Sequence, residues 1–196
     1  ELPFTPICNQ NFNGVFSYFI TQKRLSSSVK VFGGGSKETM LRHLFEYDSK
    51  MFEYYWDSYS RTDQSSLKNA WLVFSFKSYR VKLDHYTLAT SPFMQRKDCP
   101  GIQPISWRIE GFDDYIEKVT DIKSDTNWEK VALEIKNPAL VKNGDVVETF
   151  RAVHSTKAFR TFKFTMMENK EKSKDYANQL KLNAIEFYGK LIPISA

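Results

Sequence analysis

From Trp71 onward the chain consists of short runs of β-branched and aromatic residues separated by turn chemistry. No other feature limits the possible folds as strongly. The runs are Trp71–Phe76, Tyr79–Thr90, Ile105–Gly111, Val119–Lys123, Trp128–Ile135, Val146–Val153, Ala158–Met167 and Leu180–Leu191. Such residues suit a pleated, half-buried surface. Within one run Val81, Leu83 and His85 alternate with Lys82 and Asp84, the period of a strand with one face inside. Asn137-Pro138 and Asn143-Gly144-Asp145 supply turns. Strands at short intervals with turns between them predict an all-β sandwich or barrel.

Upstream the pattern differs. Apolar residues at 15, 16, 19 and 20 predict a short helix within Asn13–Ile20. Val29–Phe32 reads as a strand, ended by Gly33-Gly34-Gly35, and Glu38–Phe45 as one or two helical turns. Residues 46–70 are irregular but aromatic, with Tyr47, Phe52, Tyr54, Tyr55, Trp56 and Tyr59, and Ser91–Pro104 is a proline-rich loop. Loops of this length are usually functional or disordered. At 41 % hydrophobic and 15 % aromatic the chain is too apolar for disorder. No repeat or linker divides it, so a single domain over 1–196 is expected, with its core at about 12–191.

Several function classes find no footing. The net charge is +5, and the basic residues are interleaved with acidic ones, as in Lys170-Glu171-Lys172-Ser173-Lys174-Asp175. That describes a solvated surface rather than a nucleic-acid stripe. His43, His85 and His154 lack metal-ligand spacing. There is no Gly-x-Ser-x-Gly elbow. Gly33-Gly34-Gly35-Ser36-Lys37 lacks the upstream glycine of a phosphate loop. Asp113-Asp114 and Asp121/Asp125 are open to Ca²⁺ or to plain turn roles. No cofactor or metal is expected, and no enzymatic role. No apolar run approaches the ~18 residues of a membrane span. Glu1-Leu2-Pro3 shows no signal-peptide pattern. Two cysteines, Cys8 and Cys99, and no Asn-x-Ser/Thr site lean toward an intracellular setting.

Seven stretches, in order, resemble the discoidin domain, also called the coagulation factor 5/8 type C domain, of the galactose-binding-like superfamily. They are Phe12–Phe19, Tyr55–Ser58, Asn69–Phe76, Val81–Leu88, Pro104–Gly111, Phe159–Phe164 and Leu182–Gly189. The resemblance implies an eight-stranded antiparallel jelly-roll β-sandwich, with short helices near the N-terminus. It implies core positions for Trp71, Trp107, Phe74 and Phe187, and a structural ion pair of Arg160 with Glu110 or Glu186. Three departures stand out. The family's terminal disulfide is missing, since Lys190 follows Gly189. Phe112-Asp113-Asp114 replaces a Ser-x-Asp-Gly turn, and the late Trp128 suggests a hairpin inserted at about 112–126. The chain looks most like the disulfide-free intracellular forms found with BTB domains.

In such domains loops at one end of the sandwich bind. Here they correspond to residues 33–62, 91–104 and 167–179. The candidate contact residues are Arg42, His43, Tyr55, Trp56, Phe93, Met94, Arg96, Lys97, Lys170 and Tyr176. Phe93-Met94 beside Arg96-Lys97 suits a protein partner or an anionic lipid surface, unless the apolar pair folds onto the core. Aromatics with Arg and His also suit a sugar. The first expectation is therefore a non-enzymatic module binding a protein partner in an intracellular scaffold, adaptor or cytoskeletal assembly. The alternative is a carbohydrate- or phospholipid-binding lectin-like module, secreted or at the cell surface.

Overall fold

The computed structural model describes residues 1–7, 12–33, 41–48, 51–52, 56–57 (backbone), 70–91, 103–123, 125–170 and 179–194. Two antiparallel sheets face each other. One has the order β1 (Leu2–Phe4), β11 (Ala184–Pro193), β5 (Tyr79–Thr90) and β8 (Val146–Arg151). The other has the order β2 (Val29–Gly33), β4 (Trp71–Phe76), β9 (Thr161–Asn169), β6 (Pro104–Phe112) and β7 (Glu129–Glu134). A short pair, β3 (Trp56–Asp57) with β10 (Lys181–Leu182), stands apart from both. The expected all-β sandwich is present, with more strands than the eight implied. Helices α1 (Val15–Thr21) and α2 (Leu25–Ser28) precede β2, as expected near the N-terminus.

Hydrophobic burial fixes the sheet-to-sheet packing. Alternate residues of each strand (Leu72, Phe74 and Phe76 on β4; Phe162, Phe164 and Met166 on β9) point inward and are fully buried. From the facing sheet come Val81, Leu83, Tyr86, Leu88, Ile185 and Phe187. Phe16 of α1 plugs the space between them, its ring 5.0 Å from Phe45, 5.4 Å from Phe74 and 4.9 Å from Phe187. Tilted and edge-on aromatic pairs add stability beyond the area they bury. The indole of Trp107, deep in this core, donates its N–H to the Tyr86 hydroxyl at 2.9 Å. Tyr86→Phe leaves that donor unsatisfied, and urea denaturation should show a loss of about 1–3 kcal/mol. An unchanged midpoint would mean that water or another acceptor replaces the hydroxyl.

Helix α1 has only seven residues and no side-chain cap of its own. Its first N–H groups are satisfied from the other end of the chain. The Glu186 carboxylate on β11 accepts from Phe16 N at 2.8 Å, from Ser17 N at 3.0 Å and from Ser17 Oγ at 2.8 Å. Gly14 permits this closeness, because a Cβ there would lie 2.1 Å from the Phe187 carbonyl oxygen.

Some expectations need correction. Residues Val119–Asp121 form a 3₁₀ turn, not a strand. The 113–128 connection carries no hairpin among its described residues. It crosses the outer face of the five-stranded sheet, held by Ile116 N donating to Ser75 Oγ and by Thr161 Oγ1 donating to Asp114 O. Arg160 pairs with neither Glu110 nor Glu186. Its Nη2 donates to Lys77 O, and its guanidinium lies 5.4 Å from the Tyr115 ring centre. Glu186 is already occupied by four N–H and O–H donors. Trp71 is half-buried on the outer face, whereas Trp107, Phe74 and Phe187 are core. The run Leu180–Leu191 breaks at Asn183, whose backbone N–H turns to Ala89 O.

Candidate functional site

Strand register gathers the long connections at one end of the sandwich. Gly33 pairs with Leu72, Pro104 with Asn169, Thr90 with Val146 and Ala89 with Ala184. The segments 34–70, 91–103, 135–145 and 170–183 therefore all leave from this end. Their bases are tied by hydrogen bonds. Lys170 N donates to Gln103 O at 3.1 Å, Asn169 Nδ2 to Gln179 O at 2.8 Å and Thr90 Oγ1 to Leu140 O at 3.1 Å.

The described part of the first segment brings charge to this end. Arg42–Phe45 is a 3₁₀ turn packed against β11 and β3. Leu44 and Phe45 anchor it in the core, and Arg42 faces solvent. Glu46 joins the two. Its Oε2 lies 2.6 Å from His43 Nδ1, and its Oε1 lies 3.9 Å from Arg42 Nε. The Arg42 side chain is 73 % exposed and that of His43 only 15 %, so the histidine is the fixed part of the cluster. Next in the chain, Tyr47 donates its hydroxyl to Ile185 O at 2.5 Å and stacks on Phe12 at 4.5 Å. Burial, and then the nearby Glu186, push the Tyr47 phenol well above its ordinary pKa, so it remains a neutral donor. Arg42 also borders a cleft of about 470 Å³ along β2, with Leu25, Val31, Phe45 and Lys118.

Of the residues expected from sequence, Arg42 and His43 lie side by side, and Trp56 follows on β3, paired with Leu182. Lys170 is exposed at the same end, on the β6–β9 side. The third expected loop starts later than thought, because β9 continues through Asn169. Tyr55, Phe93, Met94, Arg96, Lys97 and Tyr176 lie outside the described residues. Sequence reasoning missed Glu46, although its i+3 and i+4 spacing from His43 and Arg42 is the signal for such a pair. Among the described residues no group of three or more His, Cys, Asp or Glu is placed to hold a metal. Nor is any helix there long and apolar enough to cross a membrane.

No protein-family model matches the sequence, and no curated protein matches it. Solved structures do. A CBM32 module from a family 31 glycoside hydrolase of Clostridium perfringens aligns with a TM-score of 0.54 at 15 % identity, over 84 % of this chain and 93 % of that one. The fold is the galactose-binding-like β-sandwich. A second C. perfringens module, the family 32 CBM of NanJ solved in complex with galactose, aligns at 0.51 and 10 % identity over 83 % and 94 %. A fucolectin from Morone saxatilis serum aligns at 0.52 and 10 % identity over 84 % of this chain and 46 % of that one. This chain thus shares its galactose-binding-like sandwich with carbohydrate-binding modules. These neighbours lend no support to an intracellular setting or to kinship with the BTB-associated forms.

Proposed function

We propose that this protein is a non-catalytic carbohydrate-binding module that holds a galactose-type sugar at the loop end of its sandwich. The observation that carries the proposal is the Arg42–Glu46–His43 cluster at that end. A sugar hydroxyl both donates and accepts, so a site for it needs fixed groups of both kinds. The exposed Arg42 guanidinium offers donors in a planar fork. Glu46 offers carboxylate acceptors, and His43 holds that carboxylate in place. Tyr55 and Trp56, in the same segment, are of the residue type whose rings pack on the apolar face of a sugar. Binding sites commonly set a few placed polar groups against such apolar surface. The sandwich neighbour seen with galactose supports the choice of sugar. This reverses the order of the two sequence readings, because support from the fold falls on the glycan rather than on a protein partner.

A glycan array followed by calorimetric titration tests this. Galactose-terminated glycans should be retained. Arg42→Ala and Glu46→Gln should each weaken binding at least tenfold, a loss of about 1.4 kcal/mol. Both side chains are partly or largely exposed, so the melting temperature should stay within a degree or two. An array with no glycan retained, or full affinity in both variants, would sink the proposal.

A further inference from the structure

A second cleft lies far from the loop end, on the outer face of the four-stranded sheet. It holds about 440 Å³ and is lined by Phe4, Thr5, Lys82, Asp84, His85, Arg151 and the 152–156 segment. Lys82 and His85 are three residues apart on β5, and in a regular strand they would point to opposite faces. A β-bulge prevents this. Tyr188 pairs with His85 but Gly189 pairs with Leu83, so Asp84 is an extra residue on β5. Leu83 and Tyr86, on either side, both point into the core. Lys82 and His85 consequently share the outer face. Arg151 pairs directly across from His85 on β8. Bulges re-aim side chains in this way, and they concentrate next to functional sites.

The three basic groups are unspent. Lys82, His85 and Arg151 make no ion pair and no side-chain hydrogen bond among the described residues. His85 Nδ1 is buried with no hydrogen-bond partner among the described residues, a state that usually has a reason. Asp84 is the one carboxylate in the wall, set against two cations and the histidine. The cleft is several times larger than a bare oxyanion and falls in the size range of small-molecule sites. Exposed Val153 gives it an apolar side.

We propose that this cleft is a second binding site, for a sulfate- or phosphate-bearing ligand of about hexose size. The anionic group would sit between Lys82 and Arg151, whose fork matches a tetrahedral oxyanion. The rest of the ligand would lie against Val153. The sugar character of the ligand rests on the glycan-binding proposal; its anionic group does not.

Amide-resonance titrations with galactose 6-sulfate, galactose 6-phosphate, inorganic sulfate, inorganic phosphate and neutral galactose decide the matter. The esters should shift amides of residues 82–85 and 151–156. Arg151→Ala and Lys82→Ala should each weaken that binding at least tenfold. Lys142→Ala removes the same charge from a surface pair with Glu148 and should change nothing. Response to one ester alone would identify which oxyanion the cleft takes. If neither ester shifts these amides, if both cleft variants bind normally, or if neutral galactose binds there equally, the proposal fails. Free sulfate or phosphate binding as tightly as the esters would overturn its hexose-sized part. Neutral galactose shifting residues 42–48 reports only on the loop-end site, so the two proposals fail separately.

Discussion

Replacing Glu186 with alanine should lower the melting temperature by about 10 °C. The carboxylate is fully buried and accepts from Phe16 N, Ser17 N, Ser17 Oγ and Phe187 N. Removing it leaves three backbone donors unpaired in the interior. Each costs about 1–3 kcal/mol, and some water entering the gap offsets part of the sum. A net loss of about 3–5 kcal/mol follows, which at about 2–4 °C per kcal/mol gives the stated shift. Since whole domains are stable by about 5–15 kcal/mol, partial unfolding at 37 °C is expected as well. Burial is the largest influence on this carboxyl and raises its pKa above the ordinary 4.5, against the pull of its four donors. The folded protein thus holds the proton more tightly than the unfolded chain does. The carboxyl's pH-linked contribution is complete below about 4.5 and falls away as pH rises through the folded value. The stability gap between the wild type and Glu186→Gln should therefore narrow as pH rises over that window. Thermal melts at several pH values test both points, and a Glu186→Ala protein that melts with the wild type would refute the capping role.

Gly189→Ala should be comparably damaging for a different reason. Gly189 has φ +144°, which side-chain-bearing residues rarely adopt. A Cβ there would lie 1.9 Å from the Lys82 carbonyl oxygen and 3.0 Å from Asp84 N. Both neighbours are backbone, so no side chain can swing away. The β5–β11 ladder would have to part at the bulge, at a cost of about 3–5 kcal/mol once backbone strain and overpacking are combined. The bulge also sets the outward turn of His85, so oxyanion-ester binding in the second cleft should fall with stability. Urea denaturation measures the first effect, and a midpoint close to the wild type would show that the strands absorb the methyl group. The Glu186→Ala/Gly189→Ala double variant should depart from the sum of the two single effects, because the residues lie three apart on one strand.

Much of the sandwich is legible in the chain. The runs at Trp71–Phe76, Tyr79–Thr90 and Ile105–Gly111 match β4, β5 and β6 within one residue at each end. Their inward residues bury against a facing sheet, and burial imposes the two-residue period on the sequence itself. The run at Val119–Lys123 had the composition of a strand but formed a 3₁₀ turn, since its neighbours over the sheet are tied down by Ser75 and Thr161. Alternation also misplaced His85, grouping it with Val81 and Leu83, because one extra residue in a strand inverts every later position. At the candidate site, Arg42 and His43 were legible by residue type. Their link through Glu46 was overlooked in the sequence, and their position beside β3 and β11 was not legible there at all.

By itself, then, the sequence determined the fold class, the inward-facing residues of most strands, the short N-terminal helix and the presence of polar and aromatic residues in long connections. These are local properties, fixed by side-chain period and turn chemistry within a few residues. Tertiary structure alone decided that Glu186 caps a helix 170 residues earlier in the chain. It alone decided that Arg160 rests on Tyr115, and that a bulge opposite Gly189 places Lys82, His85 and Arg151 around one cleft. Each of those depends on the register between distant strands. Register is set by the joint packing of both sheets, and no short stretch of the chain carries it.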